Sequence, residues 1–168
     1  VLGGFSSGGH LALMTAVGGG LPPDAGDTVA SAEEAGAGSG PGPARRPSAV
    51  VSWFGISDVA ALVEGSRPRP FARHWLGARP DHVALAHELS PVERIGPLTP
   101  PVLSIHGDAD PVVPFSQSLR LHEALDRHGI HNRLHVVKGG GHGDWDEGTW
   151  GRAYAVVFGF VEEVANEG

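Results

Sequence analysis

The sequence predicts an α/β domain: a mostly parallel sheet with helices on both faces. Three observations carry this reading. Short apolar runs alternate with helical segments, the runs at Ala49–Phe54 and Val102–His106 are stopped by glycine, and 168 residues suit one domain with a real core.

Taken in order, Val1-Leu2 reads as a strand end entering Gly3-Gly4-Phe5-Ser6-Ser7-Gly8-Gly9, and Ser7–Val17 as a helix apolar on nearly every face. Residues 18–47 are rich in Gly, Pro, Ala and acids without a period, and are expected to form a long flexible loop or insertion. Ala49–Phe54 is a buried strand stopped by Gly55, with Asp58 placed to cap a short helix. Prolines break 67–101 into short helices, one over Asp81–Glu88. Val102–His106 is the next strand, stopped by Gly107. Phe115–His128 is a helix with Phe115, Leu119, Leu121 and Leu125 apolar and Gly129 closing it. Leu134–Val137 is a further strand. The last helix, Trp150–Ala165, carries Trp150, Tyr154, Val157, Phe158, Val161 and Val164 at helical spacing. Such alternation implies right-handed crossovers, with the loops at the strands' carboxyl ends gathered along one edge.

The net charge of −7, with 12 Lys+Arg against 19 Asp+Glu, argues against binding a phosphate backbone. The two basic stretches, Arg45-Arg46 and Arg67–Arg73, read as solvated loop charge. No run approaches the roughly 20 apolar residues of a membrane span. The absence of cysteine excludes disulfides and a thiolate nucleophile without fixing a compartment. The chain opens at Val1 directly in a motif and reads as the C-terminal part of a longer protein.

Gly4-Phe5-Ser6-Ser7-Gly8 fits G-x-S-x-G, the strand-to-helix turn that exposes a nucleophilic serine. The flanking glycines remove Cβ atoms from a crowded turn, and the helix N-terminus favours developing negative charge. A serine hydroxyl needs a base. Of ten histidines, His142 lies in Gly139-Gly140-Gly141-His142-Gly143 directly after a strand, on the edge expected for Ser6. His74, His82, His87, His122, His128 and His131 read as surface residues, His10 as a packing residue, and His106 as a strand end bonded to loop backbone. The base in turn needs a carboxylate. Asp110, held extended by Pro111, is preferred over Asp108, which reads as a turn residue accepting backbone N–H bonds. His142, Asp144 and Asp146 lack metal-loop spacing, so no metal is expected. Trp145 and Trp150 are assigned to the pocket wall or the core.

Ser6–Ala12, Trp53-Phe54-Gly55-Ile56-Ser57-Asp58, Ser90-Pro91, His106–Asp110 with Val113-Pro114, and Gly139–Gly143 together resemble α/β-hydrolase esterases of the acetyl- and feruloyl-esterase-like group, which grades into prolyl oligopeptidase-like hydrolases. The resemblance implies the C-terminal half of an α/β-hydrolase fold. It also implies a nucleophile at Ser6, acid at Asp110, base at His142, the Ser7 N–H as one oxyanion donor, no cofactor and a small-molecule ester substrate. A serine peptidase and a truncated non-catalytic domain are the rival expectations. Two departures stand out: Phe5 is bulkier than usual before the nucleophile and is expected at the pocket floor, and no His-Gly-Gly-type loop precedes Ser6.

Overall fold

The computed structural model describes residues 1–18, 46–64 and 68–167. The expected loop over 18–47 lies outside the described residues apart from Gly18, Arg46 and Pro47, as do Arg45 and Arg67. The elements in chain order are β1 (Leu2–Phe5), α1 (Ser7–Val17), β2 (Val50–Trp53), α2 (Val59–Glu64), α3 (Pro70–Leu76), α4 (His82–Glu88), a 3₁₀ turn at Pro91–Arg94, β3 (Val102–Gly107), α5 (Ser116–Arg127), β4 (Asn132–Val137) and α6 (Glu147–Glu167).

The four strands form one sheet in the order β1-β2-β3-β4, every pair parallel. The two central strands are buried on both faces, as a parallel sheet between helices demands. Their side chains separate by the two-residue period. Val50 and Val102 face α1 and α5 with Leu13, Leu121 and Leu125, whereas Val51, Trp53, Leu103 and Ile105 face α6 with Ala153 and Phe160. A third cluster joins α2, α3 and α4 to Ile56 and Val113. Asp58 Oδ1 accepts the Ala61 N–H at 2.8 Å, so it does cap α2.

Some expected core faces are narrower than the sequence suggested. Leu11 on α1, Leu119 on α5 and Tyr154 and Phe158 on α6 are exposed. α6 instead seats Ala153 and Phe160 fully, with Val156, Val157 and Val164 alongside. β2 ends at Trp53 because Phe54 turns out of the strand with φ 38°. No helix among the described residues is long and apolar enough to cross a membrane.

Candidate active site

Ser6 follows β1 directly and begins the turn into α1 with φ 51° and ψ −116°, a conformation costly for a residue with a Cβ. Parallel pairing sets this turn, because the Ser6 N–H donates to Trp53 O at 2.9 Å. A Cβ on Gly4 would collide with the Gly8 backbone, so the first glycine of the motif is sterically required. Gly8 is not, since a Cβ there would meet open space; the crowded partner is Gly9, packed against Gly4 O and Ser52 Oγ. The Ser6 hydroxyl makes no capping bond to its helix.

That hydroxyl lies 3.0 Å from His142 Nε2 across 136 residues of chain. The other imidazole nitrogen, Nδ1, is 2.6 Å from Asp110 Oδ2. Asp110 Oδ1 accepts the backbone N–H groups of Val112 and Val113 at 2.8 and 2.9 Å. Burial pushes the Asp110 carboxyl upward, but the N–H groups of His106, His142, Val112 and Val113 outweigh it and hold the carboxyl below its ordinary range. The three side chains picked from sequence are therefore brought together at the carboxyl ends of β1, β3 and β4.

Two close approaches hold the β3 and β4 loops to each other. Gly107 leaves room for the carbonyl oxygens of Gly140 and Gly141, where any Cβ would overlap them. The Ala109 N–H then donates to Gly140 O at 3.1 Å, and Asp108 Oδ1 accepts the Gly139 N–H at 2.6 Å. Asp108 thus has the loop-tying geometry expected of it, while Asp110 turns to the imidazole. Ser7 is the first residue of α1, so its N–H has no intrahelical acceptor and is available to a ligand.

Beside the serine lies a cavity of about 270 Å³. Ser6 and Ser7 form its polar end, and Ile56, Phe71, Trp75, Val112 and Val113 its apolar walls. Phe5 does not reach this cavity as expected; it stacks on Trp53 at 5.2 Å and packs beside Phe54 and Trp150. Trp145 and Trp150 pack on the α6 side of the core, not in the cavity.

Two neighbours of Ser6, Asp110 and His142 were given no place at the site by the sequence. Phe54 lays its ring 4.5 Å from the imidazole of His142, and His106 sits fully buried behind Asp110. Both stand inside motifs that had drawn attention, Trp-Phe-Gly and His-Gly-Asp; His106 does bond loop backbone as expected, at Val113 O, but its place beside Asp110 carried no local signal. The cavity lining, polar end included, comes from four separate segments, which no local pattern reveals. His122, expected at the surface, is buried, with its Nδ1 2.6 Å from Asn132 Oδ1.

For metals, both His142 nitrogens are engaged by Ser6 and Asp110, and Asp146 accepts from Thr149. Among the described residues, His131, Glu163 and Glu167 bring ligand-type atoms within 4.8 Å of one another. Their contacts with each other and with Arg133 already occupy those atoms.

A parallel sheet with a serine on the β1–α1 turn, facing a histidine and an aspartate from later strand ends, defines an α/β-hydrolase-fold protein. Residues 1–125 match the BD-FAE family model, and the chain belongs to that family. Among solved structures it is similar to a truncated form of a carbohydrate esterase from gut microbiota, at 33% identity and a TM-score of 0.62 over 84% of this chain and 51% of that one. It is also similar to an acetyl ester-xyloside bifunctional hydrolase from Caldicellulosiruptor lactoaceticus, at 26% identity and a TM-score of 0.57 over 84% and 46%. A puromycin-hydrolyzing peptidase from Mycobacterium tuberculosis gives 25% identity and a TM-score of 0.65 over 90% and 20%. The chain spans about half the length of the first two. No curated protein matches it.

Proposed function

We propose that this chain carries the nucleophile, base and acid of a serine hydrolase that cleaves carboxylic esters with short acyl groups on aryl or carbohydrate alcohols. The observation that supports it most is the continuous path from Ser6 Oγ to His142 Nε2 at 3.0 Å and from His142 Nδ1 to Asp110 Oδ2 at 2.6 Å. The esterases among the similar structures favour the same substrate class.

In this scheme Ser6 Oγ attacks the ester carbonyl carbon while His142 Nε2 takes the hydroxyl proton. Asp110 keeps the Nδ1–H tautomer and steadies the imidazolium that forms. The Ser7 N–H donates to the oxyanion at the end of the α1 dipole. Collapse breaks the bond to the leaving alkoxide, which takes the proton back from His142. Water, deprotonated by His142, then attacks the acyl-Ser6 carbonyl; the acid departs and Ser6 recovers its proton. The scheme calls on no cofactor. The apolar cavity beside Ser6 is assigned to the flat or short apolar part of the ester.

The test is hydrolysis of p-nitrophenyl acetate by the full-length protein and its Ser6→Ala variant. Loss of turnover by roughly 10³-fold or more is expected, since the triad works as a unit. Equal turnover by both refutes the scheme. The similarity to a peptidase supports a second reading, amide hydrolysis by the same residues. A matched p-nitroanilide in the same assay separates the two, with the ester expected to turn over faster.

A further inference from the structure

We infer that His106 is a positioning residue for the triad: its buried imidazole clamps the 110–113 turn and aims an N–H at the carboxylate oxygen of Asp110 that holds His142. The inference rests on the serine-hydrolase reading and deepens it.

His106, the residue before the end of β3, has no exposed surface, so each of its ring nitrogens needs a partner inside the protein. Nε2 lies 3.0 Å from Val113 O, and Nδ1 lies 2.7 Å from Ser118 Oγ in the first turn of α5. A carbonyl only accepts, so Nε2 carries the hydrogen; Nδ1 then accepts the Ser118 hydroxyl proton. Val113 O therefore fixes the tautomer of a ring that never meets water, and the Ser118 hydroxyl supplies the hydrogen that Nδ1 needs.

The same Nε2 lies 3.4 Å from Asp110 Oδ2, and the Asp110 side chain is itself fully buried. Oδ2 is the oxygen that accepts the His142 Nδ1–H, while Oδ1 takes the Val112 and Val113 N–H groups. His106 thus acts twice on the carboxylate. Its N–H dipole faces Oδ2, and its bond to Val113 O holds the residue whose N–H grips Oδ1. The Phe115 ring, edge-on at 5.7 Å, closes the other side. Packing alone does not account for the residue, because an apolar replacement would strand Val113 O and the Ser118 hydroxyl in the interior.

The test compares kcat and KM for p-nitrophenyl acetate in full-length wild type, His106→Leu, His106→Gln and Ser118→Ala, with thermal melting of each. Leucine removes the N–H, whereas glutamine can return an amide N–H near the Nε2 position. A positioning role predicts that His106→Leu lowers kcat about 10-fold or more with KM within about twofold. His106→Gln should recover to within about threefold of wild type, and Ser118→Ala, which leaves Nδ1 without its donor and loosens the ring, should lose about threefold in kcat. A folded His106→Leu with kcat within twofold of wild type overturns the inference. So does His106→Gln no better than His106→Leu. If His106→Leu does not melt cooperatively, Ser118→Ala decides, and an unchanged kcat there overturns it. Ser6→Ala run in parallel keeps the two claims apart: Ser6-dependent turnover indifferent to His106 sinks only the positioning role, while Ser6-independent turnover or none at all sinks the hydrolase reading.

Discussion

Replacing Asp110 with Asn separates the shape of the acid from its chemistry. Asp110 Oδ1 accepts two backbone N–H groups, from Val112 at 2.8 Å and Val113 at 2.9 Å. An asparagine keeps both bonds only by placing its carbonyl oxygen there, so its NH₂ must face His142 Nδ1. Two donors cannot meet, and His142 is driven to the tautomer with its hydrogen on Nε2, pointing at Ser6 Oγ. That ring has no lone pair left to take the serine proton. Loss of about 10⁴ in kcat is expected from a wrong tautomer, which is about 5.5 kcal/mol of barrier. Stability should fall by about 1–3 kcal/mol, because the backbone bonds of the turn survive while the Asn NH₂ faces the buried His106 N–H. The assay is steady-state hydrolysis of p-nitrophenyl acetate beside urea unfolding. A kcat within tenfold of wild type in a folded Asp110→Asn protein would refute the assignment of the acid.

Other perturbations read different parts of the account. Gly107→Ala puts a Cβ into Gly140 O and so pushes the β3 and β4 loops apart. Activity should fall by about 10²-fold, as expected when reacting groups are displaced by about 1 Å, and an unchanged kcat would count against the loop contact. Trp75→Ala opens the apolar wall beside Ser6, and is expected to raise KM for p-nitrophenyl butyrate about fivefold while kcat holds; an unchanged KM removes Trp75 from the binding surface. Burial holds the rings of His122 and His10 below the ordinary 6.5, against the raising effect of their bonds to Asn132 and Ile56. The unfolded rings take up protons below pH 6.5 that the folded rings refuse. This contribution is therefore complete above 6.5 and drains away as pH falls through and below it. His122→Asn keeps a donor toward Asn132 without titrating, so its melting temperature should fall less than wild type between about pH 7 and pH 5. Parallel slopes would contradict this.

The layered fold was legible because parallel strands buried on both faces leave unbroken apolar runs, as at Val50–Trp53 and Val102–Ile105, each ending where the backbone turns. α1 was legible to the residue, since Ser6 and Gly18 bound it. Amphipathic faces were harder. Phe158 and Leu119 fit the apolar spacing yet are 66% and 49% exposed, because only the fold decides which arc of a helix meets the sheet. In the candidate site, Ser6, Asp110 and His142 stood out because each chemistry demands a local pattern at a strand end. Phe54 and His106 did not, because their effect runs through another side chain and exists only once the strands are adjacent. The cavity walls at Ile56, Trp75 and Val112 depend on α3 folding back toward the β1–α1 turn, which no short motif encodes.

The most direct measurement is covalent capture of the hydroxyl itself. The full-length protein is treated with a fluorophosphonate and the peptide carrying residues 1–10 is read by mass spectrometry. One phosphonyl group on Ser6, lost in Ser6→Ala and strongly slowed in His142→Ala, is the predicted result. Labelling elsewhere with Ser6 untouched, or labelling of Ser6 at equal rates with and without His142, would contradict the triad.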